Sequence, residues 1–380
     1  MRGIYRIRGR GLMSVCVLTA LLCAYSARAI QRPAAAAPVV AQPLAPSAPN
    51  SVAADESEFF QRLNRVGFTQ QFRDLKLPSS LVATLVAANA ASAVQQLEAL
   101  AQTGNTDANV ALIRLQHWCA QAVGDKHPKD AAGQLLGTFS GERAARVKGL
   151  LNADDEYGTR AARSCSNANF QYAAIEARLR QAAEKADPAS AAELAQFIRD
   201  PQRRESLLLS AASKGSAVAA QMLATSRLLA VQRGERTEEV GSIRALLKQA
   251  GQRIPKAKLD FANCAAVGCD GHPAEAATAA VFGMDAARDG EPQAYLAMLT
   301  FAWGNRLTRD ELLGWQYFAD RLNDAGCNGT SYIIWAARFS QSIQQLEKNQ
   351  PAAVLTRGKN LADQYWRDYA DRAKAAQACE

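Results

Sequence analysis

Residues 286–305 read AARDGEPQAYLAMLTFAWGN, and the spacing of the small residues in this stretch decides the fold class. An alanine pair is followed by Gly290, and Ala294 comes four positions after that glycine. Met298 occupies the next expected apolar position, and Leu299 comes one position late. A glycine in the left-handed conformation ends helices, and residues four apart share a helix face. The stretch therefore predicts a helical hairpin that packs closely through small side chains.

The same frame, small-Ala-x-x-Gly-x-x-x-Ala-x-x-x-Leu, occurs twice more upstream. Its glycine is Gly104 in the first copy and Gly215 in the second, so the copies are 111 and 75 residues apart. Because these distances define no single period, we expect degenerate hairpins between the copies. The other members are Leu100, Ala101, Ala108 and Leu112 in the first copy, Ala211, Ala212, Ala219 and Leu223 in the second, and Ala286 and Ala287 in the third.

The rest of the chain has the composition of a helical protein. From residue 55 onward it is rich in alanine, leucine, glutamine, arginine and glutamate, most of which are strong helix formers. Thr308 and Glu311 form a capping box ahead of an apolar stripe. We therefore predict an all-α region with short loops, and a solvated loop at the basic stretch 253–261. The prolines expected to begin helices are Pro188, Pro201, Pro273 and Pro292.

The best full match to the frame, residues 286–326, resembles the Sel-type repeat, a tetratricopeptide-like helical hairpin. The resemblance implies α/α helical-hairpin repeats that form a solenoid-like domain with a concave face. It also implies an adaptor that binds peptides or proteins, with an envelope or secretion component as partner. A non-repeating helical domain is the alternative. The residues that extend the match beyond the frame are Gly304, Leu307, Asp310, Tyr317 and Phe318, with Gly314 where the family usually has alanine.

The N-terminus predicts export. Residues 2–10 hold four arginines and no acid, residues 11–25 form a short apolar core, and Ala27-Arg28-Ala29 is a small-x-small cleavage site. These are the parts of a secretory signal peptide, here residues 1–29. We expect a periplasmic or secreted protein with no transmembrane anchor after cleavage, and an uncleaved N-terminal anchor is the alternative.

Residues 30–54 are predicted to be a disordered linker, because this segment is rich in proline and alanine and nearly uncharged. The helical-repeat domain is then predicted to span residues 55–380. Without the five arginines of the signal peptide the chain has 39 basic and 36 acidic residues, a formal charge of +3 instead of +8. This balance is not typical of a nucleic-acid-binding protein, so no nucleic-acid partner is expected.

The cysteines predict a disulfide framework. Two of the eight belong to the signal peptide, and an even number in an exported protein favours disulfides. Six cysteines allow fifteen pairings, among which sequence proximity favours Cys119–Cys165, Cys264–Cys269 and Cys327–Cys379. A zinc site formed by Cys264, Cys269 and His272 is the weaker alternative, because it lacks a clear fourth ligand.

Twelve of the 26 aromatic residues lie between positions 295 and 369. Aromatic faces are good anchors in interfaces, so one interpretation is a groove for a peptide or glycan. The other interpretation, which we favour for the cluster as a whole, is a well-packed C-terminal core, with Trp315 facing inward. The candidate partner-binding residues are Tyr295, Trp303, Trp315 and Tyr317.

No motif in the sequence predicts catalysis. A G-x-S-x-G nucleophile turn and phosphate-binding glycine loops are missing. The Glu-Ser pairs at Glu56 and Glu205 lack the segment that follows such a pair in peptidoglycan lyases. We therefore expect no catalytic residue, metal or cofactor.

Three hypotheses about function follow from the sequence. The first is a non-catalytic scaffold for protein–protein interaction in the bacterial envelope. The second is an envelope enzyme or glycan-binding protein that acts on peptidoglycan or polysaccharide, which requires two carboxylates without salt-bridge partners in a pocket. The third, ranked last, is a factor with redox-active cysteines.

Overall fold

The computed structural model describes residues 51–72, 75–124, 136–137, 139–185, 187–233, 241–269, 271–300 and 306–379. These residues belong to one compact unit, Pro49–Glu380. The predicted signal peptide and residues 30–50 of the predicted linker lie outside the described residues. The first helix begins at Ser51, so residues 51–54 are helical although the sequence places them in the linker.

Sixteen α-helices and one short 3₁₀ helix make up the secondary structure of the described residues. The N-terminal helices are α1 (Ser51–Phe72), α2 (Ser79–Val86), α3 (Ala90–Gln102), α4 (Thr106–Gly124), α5 (Gly141–Ser166), α6 (Tyr172–Glu184), α7 (Pro188–Ala195) and α8 (Pro201–Ser213). The others are α9 (Ala217–Gln232), α10 (Ser242–Ala250), α11 (Pro255–Val267), α12 (Ala276–Arg288), α13 (Pro292–Thr300), α14 (Arg309–Asp324), the 3₁₀ helix Gly329–Ser331, α15 (Tyr332–Glu347) and α16 (Ala352–Gln377).

Neighbouring helices in the chain pack on each other as hairpins. The pairs α3–α4, α8–α9, α11–α12 and α14–α15 are in contact, and α14 also packs along α16. No strand occurs in the part of the chain that the structure describes. The predicted fold class, all-α with helical hairpins, is confirmed.

All three copies of the frame form the predicted turn. The φ angles of Gly104, Gly215 and Gly290 are 87°, 89° and 77°, in the left-handed region. Each glycine N–H donates to the carbonyl three residues earlier, at 3.0, 2.9 and 3.0 Å. The N–H of the following residue donates to the carbonyl five residues earlier, at 3.3, 3.1 and 3.0 Å. These bonds satisfy carbonyls that a helix end would otherwise leave unpaired.

The alanine of each frame lies at the helix contact. Ala108, Ala219 and Ala294 are completely buried in the first turns of α4, α9 and α13. In the third copy Met298 is buried and Leu299 is only partly so, which confirms that Met298 takes the apolar position of the frame.

The same left-handed turn ends three more helices that the frame does not mark. Ala88, Gly326 and Ala378 have φ angles of 55°, 88° and 53°. In each case the N–H of the next residue donates to the carbonyl five positions earlier, at 3.2, 3.1 and 2.9 Å. Two of these turns place an alanine in the left-handed conformation, which costs about 1–2 kcal/mol each. Because the chain is rich in alanine, an alanine at these positions does not predict a turn.

The prolines correct two local predictions. Pro188, Pro201 and Pro292 begin helices as expected. Pro273 does not, because it lies in the loop between Gly268 and Glu275, where the Glu275 N–H donates to Ala265 at 2.7 Å and holds the loop back against α11. The prediction of a solvated loop at 253–261 is wrong. Pro255 begins α11 there, and the apolar residues between the lysines are buried against neighbouring helices.

The three predicted disulfides are all present. Cys119 joins Cys165 and thereby ties α4 to the end of α5, with 5.3 Å between the Cα atoms. The Cys264–Cys269 bond closes the loop after α11. Cys327 joins Cys379, which fixes the C-terminal end of α16 beside the turn after α14, with 5.0 Å between the Cα atoms.

Two apolar clusters form the core, and each end of the chain contributes to both. The first cluster consists mainly of residues before position 180, and the second mainly of residues after 190. Tyr332 of α15 packs in the first cluster against Phe59 of α1, with 5.2 Å between ring centroids. The Gln70 side chain donates to the carbonyls of Cys327 and Gln377, at 2.9 and 2.7 Å. Helix α1 is therefore bound to the C-terminal part of the chain.

The three glycine turns predict different losses of stability when the glycine is replaced by alanine. Gly104→Ala and Gly215→Ala place a Cβ in open space, so each variant bears only the strain of the left-handed residue, about 1–2 kcal/mol. In Gly290→Ala the Cβ also lies 3.1 Å from Ala373 Cβ and 3.1 Å from Gln377 Cγ. We expect this variant to lose at least about 1 kcal/mol more, since overpacking adds to the strain.

Urea unfolding of the three oxidised variants measures the difference. Equal losses of unfolding free energy in all three variants would contradict this prediction, because α16 would then accommodate the added methyl group at position 290 without an energetic cost.

Candidate functional site

The structure places two of the predicted partner-binding residues in the core. Tyr295 is 1% exposed and Trp315 is 2% exposed, so neither side chain is accessible to a partner in this structure. Tyr317 is half-buried and reaches the surface. Trp303 lies outside the described residues.

Two hydrogen bonds connect Tyr295 to the neighbouring helices α12 and α14. Its hydroxyl donates to the Ala287 carbonyl at 2.7 Å, across the glycine turn between α12 and α13. Its own carbonyl accepts from the buried side chain of Gln316 at 2.6 Å. Burial raises the pKa of the Tyr295 hydroxyl well above its ordinary value. These contacts connect α12, α13 and α14, so the buried Tyr295 has a structural role.

Trp315 is the centre of an aromatic stack between α14 and α16. Its ring lies 4.1 Å from the Tyr365 ring and 5.8 Å from the Tyr369 ring, both nearly parallel to it. Close approach of the two helices requires glycine, because a Cβ on Gly314 would lie 2.8 Å from Leu361 Cβ. The interpretation of this part of the aromatic-rich segment as a packed core is confirmed.

A buried carboxyl follows the third glycine turn. Glu291 is 7% exposed, and its Oε1 accepts from the Gln293 N–H at 3.2 Å, which caps α13. Burial raises the pKa of Glu291 from 4.5 to about 7, in spite of the favourable charge of Lys256. In the other two copies a neutral residue, Asn105 or Ser216, caps the second helix in the same way.

A surface cleft in the described residues is the candidate binding site. Its volume is about 250 Å³, and it lies between the N-terminal turn of α5, helix α14 and helix α15. The side chains of Phe139 and Ile343 and the ring of Tyr317 form apolar walls. The polar groups that complete the lining are Ser140, Arg143, Asp320, Ser340 and Gln344.

The charged groups of the cleft neutralise each other. Arg143 donates through both Nη atoms to the two carboxylate oxygens of Asp320, at 3.1 and 2.5 Å. Burial raises the pKa of Asp320, against the opposing effect of Arg143. A bidentate pair of this kind is directional and strong. Both oxygens of Asp320 are thus occupied by the protein itself.

Tyr317 connects the cleft to a second carboxylate. Its hydroxyl donates to Glu347 Oε1 at 2.6 Å. Burial raises the pKa of the Tyr317 hydroxyl, and the bond to Glu347 raises it further. Glu347 lies one turn beyond Ile343 on α15, so it shares a helix face with the residues that line the cleft.

Two polar atoms in the cleft wall have no partner among the described residues, Arg143 Nε and Ser340 Oγ. A buried donor or acceptor that stays unpaired costs roughly 1–3 kcal/mol.

The arrangement supports binding and contains no recognisable catalytic pair. Its two serines have no histidine beside them in the lining of the cleft. Within the described residues His117 packs against Phe197, and His272 lies 3.9 Å from Glu275.

The other chemical candidates from the sequence do not form sites. Glu205 accepts from Arg227 at 2.8 Å, and Glu56 lies among the residues whose side chains are not described. Cys264 and Cys269 are joined in a disulfide, which excludes both as zinc ligands in this state. No three His, Cys, Asp or Glu side chains come together as metal ligands in the described ranges. Among those same ranges, no helix is long and apolar enough to cross a membrane.

No protein-family model matches the sequence, and no curated protein matches it. Among solved structures, the chain is similar to a protective antigen of uropathogenic Escherichia coli strains that displays an SLR fold. The identity is 15% over 76% of this chain and 74% of the antigen, with a TM-score of 0.33. The chain also resembles a Sel1 repeat protein from Oxalobacter formigenes. The identity is 18% over 72% of this chain and 89% of that protein, with a TM-score of 0.36.

The hairpin fold itself is shown by the helices and turns of this chain.

Sequence reasoning missed most of the cleft. Of its lining residues only Tyr317 was a candidate. Ser340, Ile343, Gln344 and Glu347 do follow the spacing of one helix face. That pattern is common on helices, so it gave no reason to single out these residues.

The buried carboxyl of Glu291 predicts a pH effect on stability. Its folded pKa is raised, so its contribution to stability is fully present below pH 4.5 and is lost as the pH rises through about 7. Glu291→Gln keeps an oxygen to cap α13 and cannot ionise. Relative to the parent, the variant should gain up to about 3 kcal/mol of unfolding free energy between pH 5 and pH 8.

Urea unfolding at the two pH values tests this effect, with the exposed Glu58→Gln as control. The same pH dependence in all three proteins would contradict a raised pKa at Glu291.

Proposed function

We propose that this chain is a non-catalytic helical-repeat scaffold that binds a protein partner in the bacterial envelope, in the periplasm or after secretion. The observation that carries the proposal is the cleft between α5, α14 and α15. It combines apolar walls with hydroxyl and amide groups, while its charged pair is internally satisfied. Such a lining suits a segment of another protein, which offers apolar side chains and main-chain hydrogen-bonding groups together.

The position of the cleft also supports this function. Its walls come from three helices that are tied together at the cleft, α5 to α14 by the Arg143–Asp320 pair and α14 to α15 by the hydrogen bond from Tyr317 to Glu347. A site on such elements keeps its shape before a partner arrives, which lowers the entropic cost of binding. Tyr317 stays a candidate contact residue, because it is half-buried at the cleft with its ring in the wall.

Export is the second part of the proposal. The features of a signal peptide at residues 1–29 support it, as do the three disulfides, which are typical of oxidising compartments. An envelope or secretion component is the partner that fits this location. The rival hypothesis of an enzyme that cleaves glycans gains no support from the cleft. It needs two free carboxylates, and Asp320 is paired with Arg143.

Two neighbouring glutamines allow a sharp test of the binding surface. Gln344 lines the cleft, whereas Gln345 is equally exposed and is not part of the lining. We expect a photo-crosslinking amino acid at position 344 of the exported full chain to form a covalent adduct with one envelope protein. The same probe at position 345 should form little of that adduct.

A blocking variant completes the experiment. Gln344→Trp should fill the mouth of the cleft and abolish capture of the same partner, while Gln345→Trp should not. Equal crosslinking at 344 and 345, or capture that survives Gln344→Trp, would move the partner to another surface.

A further inference from the structure

We propose that the cleft recognises a basic side chain, lysine or arginine, on an extended segment of the partner, with Glu347 as its counter-charge. This inference rests on the proposed function and names the chemistry of the group that enters the cleft. It follows from the charge of Glu347 at the cleft and from the apolar walls.

The first argument is the charge balance. Arg143 offsets Asp320, and this leaves Glu347 as an uncompensated negative charge at the cleft. No basic side chain of the described residues forms an ion pair with Glu347, and its recorded partner is the neutral Tyr317 hydroxyl. A cation from outside would form an ion pair with this carboxylate.

Other basic groups near the cleft are engaged elsewhere. The Arg146 guanidinium lies over the Phe59 ring at 4.2 Å and over the Tyr332 ring at 5.7 Å. Arg338 of α15 lies over Trp335, at 5.1 Å. Lys348 follows the last residue of α15 and forms no ion pair with Glu347 among the described contacts. Glu347 is thus available to a charge from outside.

The second argument is the shape of a basic side chain. Lysine and arginine have apolar stems that pack along hydrophobic surface while the charged end stays at its edge. The cleft offers both environments. Ile343 and the Tyr317 ring are apolar, and the Tyr317 hydroxyl is bonded to the carboxylate of Glu347. The amide oxygen of Gln344 and the hydroxyl of Ser140 are further acceptors for an ammonium or guanidinium group.

The experiment uses pools of fluorescent nonapeptides with acetylated and amidated ends. The central residue is lysine, arginine, glutamine or glutamate, and the flanking positions are randomised. Fluorescence anisotropy with the exported full chain measures the affinity for each pool. We expect the lysine and arginine pools to bind about fivefold more tightly than the glutamine pool, and the glutamate pool to bind most weakly.

Glu347→Gln is the decisive variant, because its amide oxygen can still accept from Tyr317 while the charge is gone. It should reduce the preference for the basic pools over the glutamine pool to less than about twofold. The matched control is Glu184→Gln on α6, an exposed acid remote from the cleft in the chain, which should keep the full preference.

The outcomes separate this inference from the proposed function. Binding of all pools that is lost in Gln344→Trp, with no preference for basic residues or a preference that survives Glu347→Gln, overturns the basic-side-chain inference and leaves the cleft as a binding site. Binding of no pool, or binding that Gln344→Trp does not change, overturns both.

Discussion

The turn between paired helices is the constraint on which the rest of the structure depends. At Gly104, Gly215 and Gly290 the chain reverses within a few residues, and the turn still pairs the last carbonyls of the first helix. The residue after each glycine then caps the second helix through its side chain. A left-handed residue makes this reversal possible. Because both helix ends are satisfied locally, the hairpins need only their apolar faces to pack on each other.

Small residues convert these turns into a close-packed array. The buried alanine in each frame allows the second helix to approach the first, and Gly314 and Gly358 do the same where α14 meets α16. Large aromatic side chains pack beside these close contacts, as Trp315 of α14 does against Tyr365 and Tyr369 of α16. This division of roles explains why the aromatic residues after position 295 largely serve the core and leave the surface cleft to serine, glutamine and one half-buried tyrosine.

Local patterns predicted what depends on local physics. The frames and the capping box at Thr308 are present because helix ends depend on nearby residues. Pairing each cysteine with its neighbour in the sequence also predicted the three disulfides. The turns at Ala88 and Ala378 escaped prediction because tertiary packing holds alanine in a conformation that it disfavours by itself.

The cleft could not be predicted for a related reason. Its walls come from three segments far apart in the chain, around Ser140, Tyr317 and Gln344, and only the tertiary fold brings them together. The burial of Tyr295 and Trp315 likewise depends on helices that the periodicity of their own segments does not specify.

The attachment of α1 to the far end of the chain bears on the order of synthesis. The carbonyls that Gln70 binds belong to Cys327 and Gln377, which are synthesised 257 and 307 residues after it. Phe59 likewise waits for Tyr332. The middle hairpins can form as they emerge, but α1 cannot reach its final position until the last helix is complete. Contacts between such distant residues slow folding, so closure of the N-terminal helix is expected to be a late step of folding, and a chain truncated before Cys327 would leave the apolar face of α1 exposed to proteases and chaperones.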